Sequence, residues 1–257
     1  MTTRNEVRQQ GEAMRERVFG AGASPTASTD GVPNFRDLMS ETEFGIVWCR
    51  PGLALADRMV CTLAALASLQ RQPALSRYVG AALNIGLDAL AIQEVLIQIG
   101  IYAGFTASEE ALLTADAVFK QRGVTVLPQA PRNDSLETLT TQGNALLKAL
   151  HRDGGNKGYA APDNTVTGAL YPVAIQYGYG EIWFRPGLDQ RRRVLCSVAS
   201  FTALRLEAQA KKFGQAAVNL GLSKTEVLEA VIQTAPFSGF APALNALAAL
   251  SDVLKPD

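Results

Sequence analysis

Residues 44–105 of this chain align without a gap on residues 179–240, at a constant offset of 135 positions. About twenty of the roughly sixty aligned positions are identical and most of the rest are conservative exchanges, a self-similarity that marks a duplicated structural unit rather than chance. The identical pairs include Gly45 and Gly180, Trp48 and Trp183, Arg50 and Arg185, Pro51 and Pro186, Gly52 and Gly187, Arg58 and Arg193, and Cys61 and Cys196. Asn84 and Asn219, Gly86 and Gly221, Glu94 and Glu229, Gln98 and Gln233, and Gly104 and Gly239 follow. A weaker echo upstream, Gln10-Gly11-Glu12-Ala13-Met14 against Gln142-Gly143-Asn144-Ala145-Leu146, extends the duplication over nearly the whole chain. Two halves of like topology are therefore expected, a first repeat over residues 1–122 and a second over residues 137–257. The stretch 123–136, rich in Pro and polar residues, reads as the linker between them. Irregular segments at 20–33 and 153–164 occupy matching places in the two copies and read as long loops.

Ala, Leu and Gln dominate both copies and alternating β patterns are nearly absent, which predicts an all-α fold. Residues 57–71 are apolar almost all round and predict a helix buried on most sides, with 192–206 as its counterpart. A following helix at 76–83 is predicted to stop at Asn84-Ile85-Gly86, where glycine supplies the positive φ of a helix C-terminus, and Gly221 does the same in the second copy. Ile92, Val95, Leu96 and Ile99 then fall at i, i+3, i+4 and i+7, matched by Val227, Ala230, Val231 and Thr234. Asp88 and Ser223 stand at the predicted N-caps, and Ser223 has Glu226 at capping-box spacing.

Lysine plus arginine number 24 and aspartate plus glutamate 24, so no excess positive field exists to attract nucleic acid or an anionic membrane. Residues 1–17 are polar and charged, and no uncharged apolar run of about 18 residues occurs, so a cytoplasmic location is expected. Cys49, Cys61 and Cys196 form no C-x-x-C pair and have no neighbouring histidine, which argues against a disulfide framework or a metal site. His151 is the single histidine. It has no counterpart in the first copy, where Phe19 or a neighbour stands, and reads as a surface residue. A mechanism needing a histidine cluster, or a histidine relay in each half, is excluded.

The order of a charged first helix, a long loop, G-x-x-W-x-R-P-G-L, a buried helix, A-A-x-N-x-G and E-x-x-x-Q resembles the carboxymuconolactone decarboxylase family, which shares its all-helical fold with alkylhydroperoxidase D. Trp48-Cys49-Arg50-Pro51-Gly52-Leu53 and Trp183-Phe184-Arg185-Pro186-Gly187-Leu188 carry the resemblance in both copies. It implies two tandem alkylhydroperoxidase D-like repeats, decarboxylase chemistry on a small carboxylated lactone or related aromatic-degradation intermediate, and no cofactor. It also implies a ring-shaped homo-oligomer, a trimer in which the duplicated chains supply six quasi-equivalent units. The family's decarboxylases place H-E-L-x-x-H before A-A-x-N-x-G. Here the matching stretches are Pro73-Ala74-Leu75-Ser76-Arg77-Tyr78 and Ala208-Gln209-Ala210-Lys211-Lys212-Phe213, without histidine. A further family histidine, four residues after the glutamate of the amphipathic helix, is matched by Gln98 and Gln233. The peroxidase branch uses C-x-x-C-x-x-x-H, whose sulfur positions map to Arg71 and Ala74 and to Leu206 and Gln209, so thiol peroxidase activity is not expected.

The candidate catalytic residues are therefore Glu181, Gln233 and Gln98. Glu181 occupies the family's G-E-x-W position, where a carboxylate is expected to help proton transfer, whereas the first copy has Ile46. Gln98 and Gln233 could act as neutral donors to a substrate carbonyl or serve as satisfied structural groups. Arg50 and Arg185 could fork a substrate carboxylate or tie backbone carbonyls at a helix entrance. Arg58 and Arg193 read as ion-pair partners of a buried helix or as pocket-lining cations. Trp48 and Trp183 read as core or interface anchors that could border the same substrate. Loss of CO2 leaves a dienolate, and Arg185, Gln233 and Glu181 form the expected team for stabilising and protonating it. The competing expectation is a catalytically degenerate paralogue that binds a small ligand or supports an oligomer.

Overall fold

The structure, a computed structural model, describes residues 2–21, 32, 34–152 and 163–255. The loops expected at 20–33 and 153–164 lie mostly outside the described residues. Every regular element among the described residues is helical. In the first repeat α1 (Arg4–Phe19) is followed by α2 (Phe35–Met39), which runs into a wider π-helical segment (Ser40–Trp48). Next come α3 (Leu55–Ser68), α4 (Gln72–Asn84), α5 (Ala89–Gln98), α6 (Gly100–Ala103) and α7 (Phe105–Arg122). The second repeat restates the order with α8 (Leu136–His151), then α9 (Tyr171–Val173) leading into its own π-helical segment (Ala174–Glu181). It continues with α10 (Gln190–Ala203), α11 (Glu207–Asn219), α12 (Lys224–Ser238), α13 (Phe240–Ala249) and a short α14 (Ser251–Leu254).

The upstream echo of the duplication has a steric cause. A Cβ on Gly11 of α1 would stand 2.0 Å from the Ser40 carbonyl oxygen, and one on Gly45 would stand 2.4 Å from that of Val7. Gly143 and Gly180 repeat the crossing, 2.2 Å from the carbonyl oxygens of Ile175 and Leu139. Each repeat thus seats its first helix on its π-helical segment at a contact that only glycine permits.

Helices α3 and α10 form the centre of the molecule and pack on each other, with α12 against α3 and α5 against α10. Residues 57–68 and 193–203 are buried without interruption, which is why both helices read as apolar nearly all round. Asp57 and Arg192, equivalent positions in the two repeats, face one another with Arg192 Nε 3.0 Å from Asp57 Oδ1. Both repeats contribute to one continuous core.

The expected caps are present: Asp88 accepts from the Leu90 N–H at 2.7 Å, and Ser223 and Glu226 form a capping box. Gly86 and Gly221 have φ of 82° and 90°. Helix α4 begins at Gln72, ahead of the expected residue 76, because Pro73 sits in its first turn, where a missing N–H costs nothing.

Candidate functional site

Each R-P-G turn docks on the amphipathic helix of the other repeat. Gly52 and Gly187 hold φ near 93° and 92°; a Cβ there would lie 2.6 Å from Thr225 Cγ2 or from Leu90 Cγ, respectively. This close approach brings the preceding arginine across the repeat boundary. Arg50 donates from Nε and Nη2 to the Glu229 carboxylate at 2.7 to 3.0 Å. Arg58, buried beneath it, donates to Glu229 Oε2 at 2.9 Å, Gln233 Oε1 at 3.0 Å and the Arg50 carbonyl at 2.7 Å. The reciprocal cluster has the same geometry: Arg185 and Arg193 converge on Glu94, and Arg193 also donates to Gln98 Oε1 at 2.9 Å and the Arg185 carbonyl at 2.8 Å.

Glu94 and Glu229, identical in the duplication but given no role there, are therefore the hubs of two buried clusters. A carboxylate between two guanidiniums is tolerated in an apolar interior because its lone pairs are met by charged donors. The arginines' guanidiniums are engaged by a protein carboxylate, while Arg58 and Arg193 also tie the backbone of the turns. The expected trio of Arg185, Gln233 and Glu181 is corrected by this exchange. Gln233 belongs with Arg50 and Arg58, and Gln98 is the glutamine beside Arg185 and Arg193. The cause is the docking of each turn on the opposite repeat.

Glu181 sits at the end of its π-helical segment, with its carboxylate 3.3 Å from Arg132 Nη1 and 3.9 Å from Arg185 Nη1. Arg132, from the linker, also donates to the Glu181 carbonyl at 3.3 Å and to Gln142 Oε1 at 2.9 Å. Linker and second repeat are pinned together at this carboxylate, a role the sequence reading missed.

A cavity of about 590 Å³ opens beside the second cluster. Trp183, Phe201 and Phe213 of the second repeat and Tyr102 of the first form aromatic parts of its wall, with Lys212 and Gln209 as polar members. Gln98, its oxygen held by Arg193, donates from Nε2 to the Tyr102 hydroxyl at 2.8 Å, and the same hydroxyl lies 2.5 Å from Ser197 Oγ. Burial pushes the Tyr102 pKa above the usual phenol value. Lys212 is half-buried and its pKa is lowered by desolvation.

Around the quasi-equivalent cluster the side chains differ. Tyr78 packs edge-on against Phe237 and Phe19, with ring centres 5.3 and 5.1 Å away, and stacks on Trp48 at 6.2 Å. Glu43 stands where the second repeat has Gly178, and its buried carboxyl accepts from the Tyr78 hydroxyl. Desolvation pushes the Glu43 pKa up to about 7, against that hydrogen bond and the charge of Arg77.

His151 is corrected from a surface residue to a half-buried one. It stands where Phe19 stands in the first repeat, edge-on to Phe213 with ring centres 5.2 Å apart. Its Nε2 has no hydrogen-bond partner among the described residues, and desolvation, then Lys212, lowers its pKa to about 4. Cys61 and Cys196 are fully buried, and burial pushes their pKa upward, to about 12 for Cys196, so neither presents a thiolate. No cluster of metal-ligating side chains occurs among the described residues, and no described helix is long and apolar enough to cross a membrane.

Comparison with known proteins is consistent across both repeats. The model of the carboxymuconolactone decarboxylase family matches residues 33–117 and again 169–252. A 4-carboxymuconolactone decarboxylase of Acinetobacter baylyi is 32% identical over 119 residues, covering 45% of this chain and 89% of that protein. Nitrosuccinic acid decarboxylase npaB of Metarhizium robertsii is 28% identical over 107 residues, covering 40% of this chain and 75% of the relative. Each relative thus matches less than half of the duplicated chain.

Proposed function

Because the chain belongs to the carboxymuconolactone decarboxylase family, we propose that it is a decarboxylase of a small unsaturated carboxylate, a carboxylated lactone or a close relative, working in the cavity beside Trp183. The observation that carries this reading is the cavity itself, lined by aromatic rings, Lys212 and a hydrogen-bonded tyrosine, Tyr102, where the other cluster has Phe237. An aromatic wall receives a planar conjugated body, and Lys212 supplies a positive charge for a carboxylate. Such a wall also favours loss of CO2, since the negative charge spreads from a compact carboxylate into a delocalised dienolate that needs water less. Both matched relatives are named as decarboxylases.

In this reading Glu94, Arg185, Arg193 and Gln98 hold the site in place rather than gripping substrate, and Glu181 is an ion-paired brace beside it. Exposed Phe105 and Phe240, quasi-equivalent and 65% and 61% accessible, support self-association of the chain through apolar contacts.

The test is CO2 release by the purified protein from 4-carboxymuconolactone and from nitrosuccinate, with binding stoichiometry by calorimetry. The expected result is turnover of at least one of them, one binding site per chain, and a loss of at least tenfold in kcat/KM for Lys212→Met but not for Arg77→Met, its counterpart. Turnover unaffected by Lys212→Met and abolished by Arg77→Met would place the chemistry in the other repeat and defeat the assignment. Binding without CO2 release would favour the second reading, a ligand-binding paralogue, for which the lone, partly buried His151 is the supporting observation.

A further inference from the structure

The Tyr102 hydroxyl beside the cavity has no counterpart at the equivalent position of the second repeat, where Phe237 stands. Its surroundings fix the direction of its hydrogen bonds. Arg193 can only donate, so Gln98 must turn its carbonyl oxygen toward Arg193 Nη1 and its N–H2 toward Tyr102. The Tyr102 oxygen is thereby an acceptor from Gln98, and the orientation rests on the buried charge cluster. Ser197 Oγ, 2.5 Å away, can donate to the same oxygen or to the Arg193 carbonyl at 3.0 Å. The buried Trp183 indole N–H makes no hydrogen bond of normal geometry among the described residues, yet lies close enough to help hold the Tyr102 pKa down. In the other cluster the corresponding glutamine, Gln233, donates instead to Thr62 Oγ1 at 3.1 Å.

We propose that Tyr102 is the proton donor of the site, with Gln98 and Ser197 as positioning residues that hold its oxygen. The proposal rests on the decarboxylase reading above. The bond between the substrate carbon and its carboxylate breaks, CO2 leaves, and the electron pair stays on the substrate, as a dienolate from the lactone or a nitronate from nitrosuccinate. The Tyr102 O–H proton passes to a carbon of that anion, forming the new C–H bond. The resulting phenolate accepts from Gln98 N–H and from the Ser197 hydroxyl, which swings away from the Arg193 carbonyl, and it regains a proton from water. A phenol that burial keeps protonated through the neutral range suits this role, because it carries a proton to give at every turnover. The family histidine that the sequence lacks at Gln98 is thus replaced one helical turn further on, by the hydroxyl the glutamine orients.

The experiment compares wild type with Tyr102→Phe, Ser197→Ala and Ser197→Thr on whichever of 4-carboxymuconolactone and nitrosuccinate wild type turns over, measuring CO2 release and ligand binding by calorimetry. Phe at position 102 repeats the residue found at 237, so the fold is expected to be kept, and circular dichroism with the melting temperature checks it. Tyr102→Phe is expected to bind within about threefold of wild type and to lose at least a hundredfold in kcat. Ser197→Ala is expected to keep binding and lose about tenfold in kcat, and Ser197→Thr, which keeps a hydroxyl as Thr62 does in the other cluster, is expected to restore most of it; a serine that serves packing alone would not be rescued by the hydroxyl. An active wild type with kcat unchanged in Tyr102→Phe overturns the Tyr102 assignment alone. A wild type that binds both compounds and releases no CO2 overturns the decarboxylase reading and this one with it.

Discussion

Removing the charge of Glu94 tests whether the cross-repeat clusters hold the two halves together. In Glu94→Gln the buried Arg193, with no exposed side chain surface, and the partly exposed Arg185 lose the carboxylate they share. Gln98 and the backbone carbonyls of Arg185 and Leu188 remain as neutral acceptors for Arg193, while Arg185 can turn toward Glu181 and solvent. Stranding one buried cation typically costs about 3–5 kcal/mol. That is a large fraction of the roughly 5–15 kcal/mol by which a folded chain is stable. For a chain of this size such a loss lowers the melting temperature by roughly 6–20 °C. Urea unfolding followed by circular dichroism reads the effect as a fall in midpoint at unchanged slope. A double variant, Glu94→Leu with Arg193→Met, removes both charges at similar volume and should be more stable than Glu94→Gln, because the desolvation penalty goes with the attraction. A loss below about 1 kcal/mol in Glu94→Gln, or a double variant less stable than it, would refute the idea that an uncompensated buried charge sets the cost.

Two further outcomes follow from the asymmetry between the repeats. Glu43 has a folded pKa of about 7 against an ordinary value of 4.5, so between these the folded chain holds more protons than the unfolded one and stability falls as pH rises, by up to about 3 kcal/mol. His151, lowered to about 4, acts in the opposite direction below neutrality, so the Glu43 contribution is read as wild type minus Glu43→Gln from urea midpoints between pH 4 and 8; a difference that does not change with pH would count against a buried protonated carboxyl. At the contact between α3 and α10, Asp57→Arg should cost roughly 1–2 kcal/mol by placing like charges face to face, and the exchange Asp57→Arg with Arg192→Asp should recover most of it in thermal melts.

The helical class, the caps and the duplication were legible because they are written in local periodicity and in the chain's likeness to itself. The exchange of turns between repeats was not. Arg50 aligns with Arg185 and Glu94 with Glu229, but alignment cannot say whether an arginine meets the glutamate of its own copy or the other, and Gly52 and Gly187 resolve that only once their packing on α12 and α5 is seen. Tyr102 was legible in principle, as a hydroxyl one turn after Gln98 that Phe237 lacks, yet a search for conserved family residues looks at what the copies share. Tyr102 stands out only in what the copies do not share. Glu181 was found by its motif position, whereas its partner Arg132 lies in a linker with no counterpart to compare.

Gly178 places no side chain in the wall of the cavity, and adding one should narrow the site. Gly178 lines the cavity, and the contact nearest a Cβ built there is Ile101 Cδ1 at 4.0 Å, ordinary van der Waals distance. Its counterpart Glu43 is buried in the first repeat, where the Tyr78 hydroxyl donates to its carboxyl. Phe213 offers no such hydroxyl, so an apolar filler is the right substitute. Gly178→Leu adds an isobutyl group against Phe201, Phe213 and Tyr102, and it replaces a glycine whose φ is not positive within a helical segment. Burying part of that side chain contributes roughly 1–2 kcal/mol, and removing a helical glycine adds about 0.5–1 kcal/mol. The variant should therefore melt a few degrees above wild type and bind the carboxylated lactone at least tenfold more weakly. The substitution at the equivalent position of the first repeat, Glu43→Leu, should leave binding in the second-repeat cavity unchanged. Full binding in a correctly folded Gly178→Leu chain would mean that the ligand sits outside this cavity.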